Sequence, residues 1–127
     1  MTAPGSRKTI RSDQRGTTAV EFAIIAPVFI AMVVGTLSLC VCLFLVGSLH
    51  YAVEEGARCA SVKTSICADA ASTVSYTQSN YFGPSLSPVF TYAKAACGNS
   101  VSATITYTLD TGLRRFSIPL SATSCFP

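Results

Sequence analysis

The sequence predicts an α+β protein in which a long N-terminal transmembrane helix is followed by a small extracytoplasmic domain. That domain is expected to hold a short helix and about three antiparallel strands. Three observations predict this fold: Phe22–Leu49 contains no charged side chain, basic residues precede that run, and the residues beyond Pro88 alternate in polarity with a period of two. In a chain of 127 residues, only one small domain fits beyond the helix.

Residues 1–16 are predicted to be a basic cytoplasmic leader, because they contain almost no apolar side chain and cannot build a core. The basic residues of this leader are Arg7, Lys8, Arg11 and Arg15. Basic flanks are retained in the cytoplasm, so we expect the domain to lie outside it. The formal net charge of +3 comes almost wholly from the leader, and no nucleic-acid surface is predicted.

A helix is predicted over residues 17–65, with its membrane-spanning part at about 22–49. The uncharged run exceeds the ~20 residues that a bilayer-spanning helix needs. A buried core helix is the alternative, but the residues that follow are too few to surround so long a helix. Pro27 should kink the helix rather than end it, because no second turn signal accompanies it.

Residues 66–127 are assigned to the small domain. A short helix is expected over 68–81, with Ala71, Val74 and Tyr81 at helical spacing, before a cluster of Gly, Ser and Pro.

Three alternating runs predict the strands of this domain. They are 89–94, 101–108 and 116–123, with a first loop at 97–100 and a second turn at 110–112. Pro119 indicates an edge strand, because proline cannot donate a ladder hydrogen bond.

Four cysteines lie beyond the uncharged run and are disulfide candidates in an oxidising compartment: Cys59, Cys67, Cys97 and Cys125. Four cysteines allow three pairings. A three-stranded meander would bring Cys125 close to Cys97, which favours that pair and leaves Cys59 with Cys67. The sequence alone leaves the pairing open.

No catalytic residue, cofactor or metal site is predicted. His50 is the only histidine, and no nucleophile with a base and an orienting acid can be assembled around it. Cys40 and Cys42 lack two further donors nearby, so they do not form a metal motif. An enzyme is therefore not expected.

The segment Arg15-Gly16-Thr17-Thr18-Ala19-Val20-Glu21-Phe22 resembles the processing site of type IV prepilins. The resemblance implies that a prepilin peptidase cuts between Gly16 and Thr17. It also implies a subunit-assembly role for Glu21, with the adjacent Phe22, in which the carboxylate meets the N-terminal ammonium of a neighbouring subunit. An acid near the start of a membrane helix is costly unless it finds such a partner.

With Pro27, Gly35 and the later Glu55-Gly56-Ala57-Arg58, this segment is similar to the TadE-like family of tight-adherence pilus systems. The resemblance implies a minor pilin or pseudopilin precursor that acts in pilus assembly, adhesion and biofilm formation. The implied partners are the prepilin peptidase, other pilins and pseudopilins, the inner-membrane assembly platform and membrane lipid. The implied location is the bacterial inner membrane, crossed once, with incorporation into a pilus left open.

Two other functional interpretations of the sequence remain. A single-span accessory subunit of a membrane or secretion complex would have the same helix and domain but would keep its leader. A secreted binding module would need cleavage near Val46-Gly47-Ser48, yet the apolar run is far longer than the ~7–15 residues of a signal peptide core.

Overall fold

A computed structural model describes residues 15–110 and 114–127. Within them, the helices are α1 (Arg15–Val62) and α2 (Ala70–Ser79), and the strands are β1 (Val89–Ala95), β2 (Gly98–Asp110) and β3 (Arg115–Phe126). This arrangement confirms the predicted fold class. Most of the predicted leader and the centre of the second turn lie outside the described residues. The chain divides into two compact units, Met1–Thr36 and Leu37–Pro127.

In the first unit, α1 is already helical at Arg15, the first described residue, so Gly16 lies inside the helix rather than before it. The helix continues through Pro27. Its large apolar side chains, such as Phe22 and Phe29, are exposed. A core helix would be mostly buried, but only 6% of the most apolar 18-residue stretch of this helix is buried. By length and composition, α1 can therefore cross a membrane.

The second unit is built on the last turns of α1. Helical spacing places its buried residues on one face of the helix: Leu45, Ser48, Leu49, Ala52, Val53 and Ala57. Most of them share one core with the sheet residues Phe90, Val101, Ala103, Ile105 and Ala122. Because several of these side chains are alanine, the helix and the sheet can pack closely.

The sheet is an antiparallel meander in the order β1-β2-β3. Along β2, Val101, Ala103 and Ile105 are buried, whereas Thr104 and Thr106 are exposed. The expected loop at 97–100 was wrong. Ala95 already pairs with Gly98, so β2 begins at Gly98 and the turn contains only two residues. This tight turn requires a positive φ of 120° at position 98, which glycine tolerates.

Among the described residues, β3 pairs only with β2, so it is an edge strand, as Pro119 indicated. A salt bridge of 2.8 Å between Arg115 Nε and Asp110 Oδ2 joins the two strands next to the second turn.

Helix α2 begins with a capping box. The Asp69 carboxylate accepts a hydrogen bond from the Ser72 amide at 2.7 Å, and the Ser72 hydroxyl accepts one from the Asp69 amide at 3.1 Å. The bond from the Ser72 amide, followed by one from its hydroxyl, lowers the pKa of Asp69 below its ordinary value. Thus the cap is strongest while this carboxylate is ionised.

The buried face of α2 agrees only in part with the expected one: Val74 and Tyr81 are partly buried and pack against the core, as predicted. Ala71 is exposed, and Thr73 and Thr77 are buried instead. Each threonine hydroxyl donates to the carbonyl four residues earlier, at 2.8 Å. Because the hydroxyls are satisfied inside the helix, these two residues can pack as if they were apolar.

Candidate functional site

The residues of the predicted processing site lie in the first turns of α1. Gly16 and Thr17 are both exposed. A Cβ atom added at Gly16 would meet no other atom within 4 Å. The peptide bond between Gly16 and Thr17 is therefore not covered by any described part of the chain.

Glu21 lies one helical turn after Thr17 and is also exposed. Its neighbours Val20 and Phe22 are large and exposed, and Phe22 has 74% of its surface accessible. No described side chain forms a hydrogen bond or ion pair with Glu21. A carboxylate on an otherwise apolar helix surface is costly in lipid unless a cation from another molecule reaches it.

Two disulfides stabilise the second unit. Cys59 and Cys67 join the end of α1 to the segment before α2, with their Cα atoms 5.8 Å apart. Cys97 and Cys125 join the first turn of the sheet to β3, with their Cα atoms 6.2 Å apart. The meander argument favoured this pairing among the three. Cys40 and Cys42 are free thiols.

A chain of hydrogen bonds lies beside these disulfides and joins α1 to all three strands. The Tyr92 hydroxyl donates to Asn99 Oδ1 at 2.6 Å, and Asn99 Nδ2 donates to Ser61 Oγ at 2.8 Å. The Ser61 hydroxyl in turn donates to the Phe126 carbonyl at 3.1 Å. Sequence reasoning missed this network, because the partners are far apart in the chain.

An aromatic cluster that sequence reasoning also missed consists of Phe44, Tyr51 and Phe82. The Phe82 ring lies 5.8 Å from Phe44 and 5.6 Å from Tyr51, measured between ring centroids. The Phe82 amide also donates to Ser48 Oγ at 3.2 Å. About half of each ring remains exposed, so the cluster forms an apolar surface rather than a core.

Across residues 15–110 and 114–127, no group of three or more His, Cys, Asp or Glu side chains could hold a metal ion. His50 is exposed on α1. The described residues also include an exposed Gly16–Thr17 segment, an exposed apolar helix surface and the aromatic cluster.

Comparison with known families gives a match over part of the chain. The family model described as TadE-like protein matches residues 16–58. No curated protein and no solved structure matches the chain. The match begins at Gly16, includes Glu21 and ends at Arg58, one turn before the end of α1. The resemblance to the TadE-like family is thereby confirmed, and residues 16–58 are the TadE-like segment of this chain.

Proposed function

We propose that this chain is the precursor of a minor pilin or pseudopilin of a tight-adherence pilus system. In this proposal it is a structural protein that acts in pilus assembly, and through it in adhesion and biofilm formation, and performs no reaction itself. The observation that carries the proposal is an uncovered Gly16–Thr17 bond, with Glu21 one turn later, at the start of an apolar helix in the TadE-like segment.

Maturation by a prepilin peptidase would remove residues 1–16. The bond lies in the first turn of α1, so this turn must open for the bond to enter a protease. Gly16 makes opening easy, because glycine is about 1 kcal/mol less favourable than alanine inside a helix, and helix ends fray. Removal of the basic leader also removes its attraction to the anionic cytoplasmic leaflet.

After cleavage, assembly would depend on Glu21 and Phe22. The new ammonium group at Thr17 of one subunit supplies the cation that the carboxylate of another subunit lacks. Inside a bilayer or a fibre of packed helices, such a pair is poorly screened by water and is correspondingly strong. The exposed Phe22 extends the apolar contact beside it.

The membrane segment in this proposal lies closer to the N-terminus than residues 22–49. Leu45, Ser48 and Leu49 are buried within the second unit, so lipid cannot cover them there. Residues from about Thr17 to Phe44 still provide more than the ~20 residues that a span requires. The N-terminus would lie in the cytoplasm, and the second unit would lie outside the inner membrane, near the assembly platform and the other pilins.

The deciding experiment compares the N-terminal sequence and intact mass of protein from membranes with and without a co-expressed prepilin peptidase. A start at Thr17 that appears only with the peptidase is expected. Gly16→Leu should abolish processing, whereas Gly35→Leu is the matched control. An added Cβ meets nothing within 4 Å at either glycine, so neither change should disturb the fold.

An uncut leader in the presence of active peptidase would overturn this proposal. The chain would then fit the accessory subunit that keeps its leader. Processing of Gly16→Leu at the normal rate would show that the glycine is not the recognised residue.

A further inference from the structure

The aromatic cluster of Phe44, Tyr51 and Phe82 has no role in the processing or assembly steps above. We propose that this cluster, together with the turn that carries Phe82, is an interfacial anchor that rests in the headgroup region of the lipid bilayer. The inference depends on the proposed membrane span of α1, but not on cleavage or on pilus assembly.

The path of the chain brings this turn back along α1, toward the end of the helix where the apolar run lies. After α1, the chain runs back along the helix. Cys67 forms a disulfide with Cys59, Thr77 lies against Gly56, and the Phe82 amide donates a hydrogen bond to Ser48 Oγ. It therefore returns toward the end of the uncharged run at Leu49.

Strand β1 then leads away from this end. Val89 is its first residue, and beyond its last residue Asn99 is hydrogen-bonded to Ser61, near the end of α1. The turn between α2 and β1 is thus the part of this path that comes closest to the membrane segment.

The composition of the turn suits lipid contact. No charged residue occurs between Asp69 and Lys94. Within this stretch, Phe82, Leu86 and Val89 expose much of their apolar surface, with 57% of Phe82 accessible. The charged residues of α1 beyond its apolar run are Glu54, Glu55 and Arg58. All three lie farther along α1 than Ser48, to which the turn is hydrogen-bonded. Exposed apolar side chains without charge are expected where a surface meets lipid.

The rings also have the geometry of an interfacial belt. Phe44 and Tyr51 are two helical turns apart on α1, one on each side of the point where the uncharged run ends. Phe82 packs between them from the turn. Aromatic rings with a polar tip, such as that of Tyr51, favour the headgroup level of a bilayer.

Lipid is the occupant that the surroundings favour. The cluster is continuous with the exposed surface of the apolar helix, since Leu43, next to Phe44, is also largely exposed. A helix of another subunit is the competing occupant. It would cover the rings only in an assembly, whereas lipid would contact them in an isolated chain.

The absence of tryptophan from the sequence allows a direct test. Phe82→Trp introduces a single fluorescent reporter into the full chain, which is reconstituted at low density in phosphatidylcholine vesicles. Lipids brominated near the headgroup end of the acyl chain should quench this tryptophan more than lipids brominated near the bilayer centre. Phe29→Trp is the control inside the apolar run and should show the opposite order.

Phe126→Trp is the matched control in the second unit, because its backbone lies beside Ser61, far along α1 from the cluster. It should not be quenched by either lipid. Leu86→Trp repeats the test on the same turn without the ring contacts of Phe82, so a folding defect in one variant does not decide the result.

Each outcome bears on the proposal. Quenching of Phe82→Trp and Leu86→Trp by the shallow bromines, with Phe126→Trp unaffected, would support it. If only Phe29→Trp is quenched, α1 spans the membrane but the anchor is overturned. If no variant is quenched, the anchor and the proposed span both fail.

Discussion

Gly56 of α1 and Thr77 of α2 are in such close contact that a Cβ atom at position 56 would overlap the Thr77 hydroxyl. This contact sets the separation of the two helices. It also gives a physical role to a glycine within the TadE-like segment.

Gly56→Ala should therefore destabilise the second unit, by about 1–3 kcal/mol, because an extra methyl group must displace a buried side chain. Gly47→Ala is the control. It lies on the same helix with open space around it, and should be neutral or stabilise the helix by up to about 1 kcal/mol. The free energy of unfolding in detergent micelles measures both. Equal stabilities would contradict the predicted overlap, and Thr77→Ala should partly relieve Gly56→Ala.

The two disulfides should contribute unequally to stability. Cys97–Cys125 joins residues 28 positions apart and Cys59–Cys67 joins residues 8 positions apart. Loop-closure entropy then predicts that loss of the first pair costs about 3.6 kcal/mol and loss of the second about 2.6 kcal/mol. Unfolding of the paired Cys→Ser variants tests this order. Cys40→Ser with Cys42→Ser should leave the non-reducing peptide map unchanged.

Asn99→Ala should destabilise the second unit by about 1–3 kcal/mol, because it removes the acceptor of the Tyr92 hydroxyl and the amide that donates to Ser61 Oγ. Thr123→Ala is the comparison. It removes an exposed hydrogen bond of 3.1 Å to Ser102 and should change the stability by less than about 0.5 kcal/mol. Similar losses in both variants would indicate that the Asn99 network contributes no more than a surface bond.

The stability of the second unit should depend on pH at acidic pH, because of Asp69. Its folded pKa is lowered, chiefly by the hydrogen bond from the Ser72 amide, so the unfolded chain binds its proton first. The stabilisation is fully present above the ordinary value of 3.8 and is lost as the pH falls through the lower folded pKa. Asp69→Asn keeps a capping oxygen but cannot titrate, so its unfolding should lack this component. An NMR titration of the Asp69 carboxyl group that gave an ordinary pKa would contradict the prediction.

Glu21→Gln should separate maturation from assembly. The substitution leaves the Gly16–Thr17 bond unchanged, so processing by the peptidase should continue, while the ion pair proposed between subunits is lost. Co-purification of the mature protein with other pilins should therefore fall at least tenfold, which corresponds to about 1.4 kcal/mol. Glu54→Gln, an exposed acid beyond the apolar run, is the control and should co-purify normally.

The sequence predicted the parts of the fold that have a simple period. The uncharged run indicated α1, and alternation along Val101, Ala103 and Ile105 indicated the central strand and its buried face. The same run did not show which face of α1 is buried, because Leu43 and Leu45 are equally apolar, yet of the two only Leu45 is buried. Burial there is decided by tertiary contacts, which no local pattern contains.

The errors have identifiable physical causes. Ala71 was expected inside because it is apolar, but Thr73 and Thr77 can satisfy their hydroxyls on α2 itself and take that place. The first loop was expected to be longer because Gly98 and Asn99 are common in turns. Gly98 does form the turn boundary, but Asn99 lies in β2 and serves the hydrogen-bond network. For the candidate site, the motif located Gly16 and Glu21, whereas Phe82 carried no signal in the sequence.

The Ser61–Phe126 hydrogen bond joins positions 65 residues apart, so it can form only after the last strand has been synthesised. During synthesis α1 is complete long before β3 exists, so Leu49 first has no sheet to pack against and Leu45 is not yet buried. In a bilayer, lipid is the natural cover for them at that stage. Once β3 completes the sheet, the same residues are buried in the protein, so in the proposed membrane span about 6 Å of helix would leave the lipid. Folding of the second unit would thus do mechanical work on the helix that carries it.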